Sequence, residues 1–406
     1  MRLLHTSDWH LGRSFHGVGM LDAQRAFIDQ LVAFVRDESV DVVLIAGDVY
    51  DRALPGVDVV GLLDDALVRL TGAGAQVVLT SGNHDSAIRL GFASRLLERG
   101  GVHLRTRLAD LATPVVFPLD GGARKGGAKG AGQGSPDPGA GPVLAVYGIP
   151  WLEPRLVAEQ LGVETASHFE VTRAATARIR ADLAARAEAG TVHSVVLAHT
   201  FASGGISSDS ERDLSIGGVG VVPLDLFDGF GYTALGHLHG RQELSSTVRY
   251  SGSPLAYSFS EAKHRKGSWL VEVDAAGVGE VREVLWEAPR RLAVLRGRIE
   301  DLLSAGDLAW AEGAYCQITL TDAQRPSQAM ERLRARFPDT LVLGFDPVGA
   351  AASAKASYSS RLAEAADDLS ICCGFLEHVR GRGADDAEAA VLAEALEAVR
   401  LEGMSL

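Results

Sequence analysis

The chain has 406 residues, 47% of them hydrophobic and 22% charged, with a formal net charge of -13. That length accommodates about two to three domains with a sizeable core, and no apolar run approaches the ~18 residues that would span a bilayer, which predicts a soluble chain rather than a membrane-embedded one. Cys316, Cys372 and Cys373 are too few and too irregularly spaced for a disulfide framework or a thiolate metal site, so they read as reduced packing residues. The opening residues, Met1 to Asp8, lack the apolar core and cleavage site of a secretory signal, and the expected compartment is the cytoplasm.

In chain order, short apolar runs end repeatedly on polar residues. Leu3-Leu4-His5 leads to Asp8, Val40 to Ala46 leads to Asp48, and Gln76 to Thr80 leads to Asn83. Each is a predicted strand. Between the first two, Phe27, Ile28, Leu31, Phe34 and Val35 recur at helical spacing behind Asp22, a candidate N-cap. Alternating strands and helices predict an α/β layer architecture. Residues 121–142 are nearly all Gly, Ala, Pro and small polar types, with nothing to bury, and read as a mobile surface insertion. Strand-like Val143 to Ile149 follows, then a helical stretch from about Val171 to Ala187, the apolar run Ser194 to Ala198 ending at His199, and Tyr232 to Leu235 ending at His237.

Beyond residue 270 the texture changes. Strands are predicted at Val281 to Trp286, Leu292 to Leu295, Gln317 to Leu320 and Leu341 to Phe345, with helices near Ile299 to Leu303 and Gln328 to Arg336. The tail from Ser357 reads as two helices divided by Gly381-Arg382-Gly383, the second carrying Val391, Leu392, Leu396 and Val399 on one face. Such a pair could pack on its own domain or dock a partner. Three domains are therefore expected, over 1–270, 271–350 and 351–406. The acidic excess is uneven: residues 271–406 hold 23 of the 52 acidic residues but only 14 of the 39 basic ones. The N-terminal part is near charge balance, and bound metal would add cations of its own, so nucleic acid stays open as a partner.

The chemistry lies in five elements: Asp8-Trp9-His10, Gly47-Asp48, Gly82-Asn83-His84-Asp85, His199 and Gly236-His237-Leu238-His239. Taken singly, each is an ordinary polar residue at a strand end. Five in order, all behind apolar runs, are a pattern, because strand ends of an α/β sheet converge on one rim. Side-chain alternation along an extended segment would bring Asp8 and His10 to one side, and His237 and His239 likewise. Carboxylate, amide and imidazole donors without thiolate suit Mn, Fe or Zn in a hydrolytic role. Asp8, His10, Asp48, Asn83, His199, His237 and His239 exceed the needs of one ion. Two cations about 3.5–4 Å apart can share a carboxylate and grip a phosphate. Asp48 is the expected bridge. His84, in a tight turn, is placed to stabilise developing charge or protonate the leaving oxygen. The remaining histidines (His5, His16, His103, His168, His193, His264, His378) read as packing or surface residues.

These elements resemble the signature of the calcineurin-like metallophosphoesterases: D-x-H, G-D, G-N-H-D, H and G-H-x-H. The longer stretches Asp8-Trp9-His10-Leu11-Gly12-Arg13, Gly47 to Arg52, Ser208-Asp209-Ser210-Glu211-Arg212 and Tyr250-Ser251-Gly252-Ser253-Pro254 are similar to the SbcD family of bacterial nuclease subunits. The resemblance covers roughly residues 1–270 well and the remainder in outline. It implies a β-sandwich flanked by helices, a small capping domain, C-terminal helices that bind an SbcC-like ATPase subunit, and a homodimer. It further implies ATP-dependent exonuclease action on double-stranded DNA ends and endonuclease action on single strands and hairpins. Carried over, Asp8, His10, Asp48 and His239 would hold one manganese, and Asp48, Asn83, His199 and His237 the other, with His84 catalytic. Two alternatives remain: a phosphoesterase acting on a small phosphodiester or a phosphoprotein, and a scaffold that kept the fold without the chemistry. The extra domains favour a large substrate, and the complete set of ligands disfavours the scaffold.

Overall fold

The computed structural model describes residues 1–119, 141–214, 220–348, 368–380 and 382–403. Nearly all of the predicted 121–142 insertion, and the start of the C-terminal tail through residue 367, lie outside the described residues. Two compact units emerge: the first comprises Met1–Val294, Asp307–Gln317 and Phe337–Val342, the second Leu295–Gly306, Ile318–Arg336 and Leu343–Leu406.

The first unit is built on two six-stranded sheets. One contains β1 (Arg2–Thr6), β2 (Val42–Ala46), β3 (Gln76–Thr80) and β4 (Val102–Arg105), all parallel. The other contains β5 (Val115–Pro118), β6 (Val143–Ile149), β7 (Val192–His199), β8 (Tyr232–Gly236), β9 (Gln242–Glu243) and β10 (Val248–Tyr250), in the order β9-β10-β8-β7-β6-β5, with β6, β7, β8 and β10 parallel. The hairpin of β11 (Gly267–Asp274) and β12 (Gly277–Leu285) adds two antiparallel strands beside β1, so the first sheet runs β12-β11-β1-β2-β3-β4.

The apolar runs follow from this layering. Leu3, Val42, Leu44 and Val78 face Leu144, Val146, Val195 and Leu197 across the sandwich. Their strand neighbours Leu4, Val43, Ile45, Val77 and Leu79 point outward under α1 (Leu21–Asp37) and α2 (Val57–Gly72). On the far side Ala145, Tyr147, Val196 and Leu235 are covered by α3 (Pro154–Leu161) and α4 (His168–Ala187). Strands buried on both faces read as continuous hydrophobic sequence. This is the helix-flanked sandwich that the resemblance implies. Phe27, Ile28, Leu31 and Val35 are buried on α1 as their spacing predicts. Asp22 is not its N-cap: the helix begins at Leu21 after Met20, and Asp22 occupies the first turn, where its charge complements the helix dipole. The helix expected from Val171 starts three residues earlier, because Ser167 caps it by accepting from the Glu170 N–H.

The ends of β2, β7 and β8 approach each other closely. A Cβ at Gly236 would lie 1.9 Å from the Ala46 carbonyl oxygen and 2.9 Å from His199 Nδ1. Backbone cannot yield as a side chain can, so Gly236→Ala is expected to destabilise the fold by about 3 kcal/mol or more. Urea unfolding that shows less than about 1 kcal/mol would mean that the rim is looser than described.

Strands β13 (Leu292–Gly297), β14 (Tyr315–Leu320) and β15 (Thr340–Phe345) form a three-stranded sheet in that order. Within the second unit, Ile299–Ser304 and Ala329–Arg336 are helical, with Arg332 paired to Glu300 and Arg336 donating to the Leu302 and Ala305 carbonyls. The tail forms helices Asp368–Arg380 and Asp386–Gly403, tied by Arg380 and Arg382 to Glu388. Among the described residues no helix is long and apolar enough to cross a membrane.

Candidate metal centre

The predicted ligands lie at or just beyond strand ends, yet they do not converge by extended alternation. After β1, Asp8 and His10 adopt φ of 53° and 44°; after β2, Asp48 has 48°; after β8, His237 has 108°. Left-handed backbone at four non-glycine residues of one site is costly, on the order of 1–3 kcal/mol each, and persists only where the surroundings enforce it. The enforcement is visible. Asp8 N–H donates to the Gly47 carbonyl and His10 N–H to the Asp48 carbonyl, both at 3.0 Å, zipping the first two loops together. Trp9, fully buried, points away into the core and stacks edge-on against Phe27 of α1. Gln24 of α1 donates to the His10 carbonyl at 2.7 Å and accepts from the Gly12 N–H at 2.9 Å. Asp85 accepts from the N–H groups of Val49, Tyr50 and Gly82, tying the third loop to the second.

Two donor groups result. In the first, the Nε2 atoms of His10 and His239 lie 3.1 Å apart, and donor atoms of Asp8, His10 and His239 all fall within 4.8 Å of one another. In the second, Asn83 Oδ1 lies 3.0 Å from His199 Nε2 and 3.1 Å from His237 Nδ1. Asp48 Oδ2 stands between them, 3.6 Å from His10 Nε2 and 3.3 Å from His199 Nε2. All seven predicted ligands are thus brought to one rim. Spacings near 3 Å between donors are those of adjacent ligands around a cation with bonds of about 2.1 Å. The outer nitrogen of His199 suits this arrangement. Its Nδ1 donates to the Ala46 carbonyl at 2.9 Å, which leaves the Nε2 lone pair facing inward. His10 differs, since its Nδ1 has no hydrogen-bond partner among the described residues and lies 3.7 Å from Asp51 Oδ1. The donor set and its spacing fit a pair of divalent ions.

His84 lies beside the first group, half-exposed, its ring edge-on to His10 with centroids 4.7 Å apart. Its backbone N–H donates to Asp48 Oδ1 at 2.9 Å and its Nδ1 donates to the Asp51 carbonyl at 2.9 Å. A carbonyl only accepts, so Nδ1 carries the proton and Nε2 is left for a substrate. A nitrogen of His84 also comes within 4.8 Å of His10 and Asp48 donor atoms.

Residues 1–240 match the family model of the calcineurin-like phosphoesterases, and residues 288–372 match that of the type 5 capsule protein repressor C-terminal domain, SbcD_C. The SbcD component of the nuclease SbcCD from Staphylococcus saprophyticus is 30% identical over 345 residues, 84% of either chain. The chain belongs to the calcineurin-like phosphoesterases, in the SbcD family. Among solved structures, this phosphoesterase is similar to a dimetal phosphatase from Danio rerio, at 12% identity over 71% of this chain and 99% of that one, with a TM-score of 0.40. A Thermus thermophilus protein, TT1561, matches at 14% identity over 70% and 98%, with a TM-score of 0.35.

The electrostatics of the phosphoesterase centre without metal are those of a site awaiting cations. Burial pushes the Asp8 carboxyl up to about 6 against the pull of His199 and His239. Burial would also raise Asp48, but His199, His10 and His84 outweigh it and hold this carboxyl well below its usual range. The same pairing raises His199 to about 9 despite burial, whereas burial and the neighbouring His199 push His237 down to about 3. Two carboxylates and four imidazoles at such distances hold either protons or metal.

Several contributors escaped the sequence reading. Trp151, whose backbone N–H donates to the Ser81 carbonyl at 2.8 Å, stacks on His237 with centroids 5.7 Å apart. Ser7 donates to Asp8 and contacts Ser251 at 2.7 Å. Nothing in their spacing marks them, although Ser251 lies in a stretch that carries the SbcD resemblance. Of the histidines set aside, His5 lies between the sheets on the Tyr232 hydroxyl and the Leu235 carbonyl, and His103 is buried between Gln76 and Glu98. His16 packs on Phe15 and Phe259.

Proposed function

We propose that this phosphoesterase is the nuclease subunit of an SbcCD-like complex, hydrolysing DNA phosphodiesters with a pair of divalent ions, manganese being the expected metal. The reading rests on the convergence at one rim of seven oxygen and nitrogen donors with a half-exposed histidine beside them. The staphylococcal nuclease component, similar along 84% of both chains, supports a nucleic-acid substrate, and the SbcD resemblance makes DNA the expected one. Asp8, His10, Asp48 and His239 hold one ion; Asp48, Asn83, His199 and His237 hold the other. When bound, such a pair supplies Lewis acidity towards the phosphate and a more acidic attacking water. His84 performs the step the chain itself can make. With Nδ1–H fixed on the Asp51 carbonyl, Nε2 faces the substrate. In the imidazolium form, with a second proton on Nε2, it gives that proton to the leaving oxygen as the phosphorus–oxygen bond breaks, while the attacking water bonds to phosphorus and releases a proton to solvent.

The activities proposed are ATP-dependent exonuclease action on double-stranded ends and endonuclease action on single strands and hairpins, in the cytoplasm. Of the expected 271–350 segment, the part beyond the β11–β12 hairpin acts as the capping domain. The two tail helices dock the SbcC-like ATPase, with exposed Val391 on their apolar side. The chain pairs with a second copy through the segments behind Asp48 and His84. There Val57 is 88% exposed, Ile88 90% and Phe92 81%, and Arg89 donates to the Ala53 carbonyl at 3.1 Å, which sets the segments side by side. Large apolar side chains exposed on neighbouring segments are what a protein interface would cover. Sedimentation at micromolar concentration is expected to give twice the mass of one chain, falling to one chain in Ile88→Asp/Phe92→Asp. A wild-type mass of one chain would contradict the dimer.

The activity is tested with a radiolabelled DNA duplex, with and without Mn²⁺, using wild-type and His84→Ala chains. Metal-dependent cleavage lost on substitution is the expected result. Intact DNA, even with an SbcC-like ATPase and ATP present, together with hydrolysis of a small phosphodiester, would replace this reading by the general phosphoesterase.

A further inference from the structure

Behind His239 lies a buried ionic chain that the reaction does not use directly. Glu261 is 1% exposed and Lys266 8% exposed. The three N–H bonds of the ammonium are all used, on Glu261 Oε2, on the His239 carbonyl at 2.8 Å and on Ser253 Oγ at 2.8 Å. The other oxygen of Glu261 accepts from Ser210 Oγ at 2.6 Å and lies 3.3 Å from His239 Nδ1. Because Ser210 gives its proton to Glu261, its oxygen can only accept from His239 Nδ1, 2.9 Å away. The Nδ1 proton is thereby fixed, and the Nε2 lone pair is aimed at the rim, 3.1 Å from His10 Nε2.

The backbone of His239 is clamped from the same two segments. Glu211 accepts from its N–H while also holding the Ser208 N–H, and Lys266 donates to its carbonyl. A buried carboxylate–ammonium pair is a poor device for stability alone, since an apolar pair of the same size serves as well. One that reaches both the ring and the backbone carbonyl of a single histidine serves orientation. The corresponding partner of His199 is only a backbone carbonyl, so the two donor groups are supported unequally.

We infer that Ser210, Glu261 and Lys266 are positioning residues for the ion held by His239, setting its affinity apart from that of the other ion. The inference rests on the two-metal reading above. Ser210 lies in the stretch 208–212, which bears the SbcD resemblance without any role so far, and Glu261 and Lys266 lie in a charged stretch that resembles a solvated surface run.

The test is a Mn²⁺ titration of the full chain, following the free ion by electron paramagnetic resonance. Wild type is compared with Ser210→Ala, Glu261→Gln and the double variant Glu261→Gln/Lys266→Met, which removes both buried charges together. Two ions are expected to bind wild type. In the variants one affinity should fall about ten- to a hundredfold, as for other lost partners of metal-bound histidine, while the second stays unchanged. Should Glu261→Gln fail to fold, with its lysine left unpaired, the charge-free double variant and Ser210→Ala decide the matter. Two ions held at wild-type affinity in the folded variants, or equal weakening of both, would overturn the inference. A wild-type chain that bound no Mn²⁺ would instead remove the two-metal reading beneath it.

Discussion

Asp48→Ala is expected to eliminate binding of both ions and to lower hydrolysis by at least about a thousandfold, since even a single lost charge-stabilising contact in a transition state costs about 10²–10³. Its side chain is the one that reaches both donor groups, with Oδ2 between His10 and His199 and Oδ1 on the His84 N–H. In the proposed two-ion arrangement its removal withdraws a ligand from each ion, and it also removes one of the third loop's anchors. Thermal stability gives a readout independent of turnover. Mn²⁺ at a hundred times its dissociation constant stabilises a folded chain by about 2.7 kcal/mol per ion. Wild type should show that increment and Asp48→Ala should not. A variant that still gained stability from Mn²⁺ as wild type does would show that Asp48 is no bridge.

His84→Ala is expected to separate the roles. Its imidazole stands at the edge of the first donor group, half-exposed and held by Asp51, where the proposed function has it serve the substrate. The variant should bind two ions with near wild-type affinity yet lose about 10²–10⁴ in turnover, the usual worth of a positioned acid. The loss should be smaller for a substrate whose leaving group needs no proton, such as a nitrophenyl ester. Calorimetric titration showing metal loss equal to that of Asp48→Ala would instead make His84 a ligand, a role its distance from His10 and Asp48 permits.

Much of this centre was legible because of where the sheets put it. Strands such as Val42–Ala46 and Val195–Ala198 are buried on both faces, so they stand out as apolar runs. Parallel strands finish at one rim, so polar residues that follow the runs must meet. The geometry of meeting was not legible: left-handed turns at Asp8, His10 and Asp48, rather than extended alternation, aim the ligands, and φ is not written in a D-x-H pattern. The β11–β12 hairpin was hidden in part for a related reason. β11 is covered on both faces, but in β12 the pattern of Val278 to Leu285 mixes exposed Glu280 and Glu283 and half-buried Arg282 with apolar residues, so pairing of β12 to β11, and of β11 to β1, decides it. Glu261 and Lys266 were least legible of all, since a buried ion pair has the same letters as a solvated one, and only the fold distinguishes them.

The most direct measurement is a crystal grown with Mn²⁺ and recorded at the manganese absorption edge. Two anomalous peaks are predicted, one among Asp8, His10 and His239 and the other among Asn83, His199 and His237, with Asp48 touching both. A single peak, or peaks away from these residues, would contradict the two-metal centre.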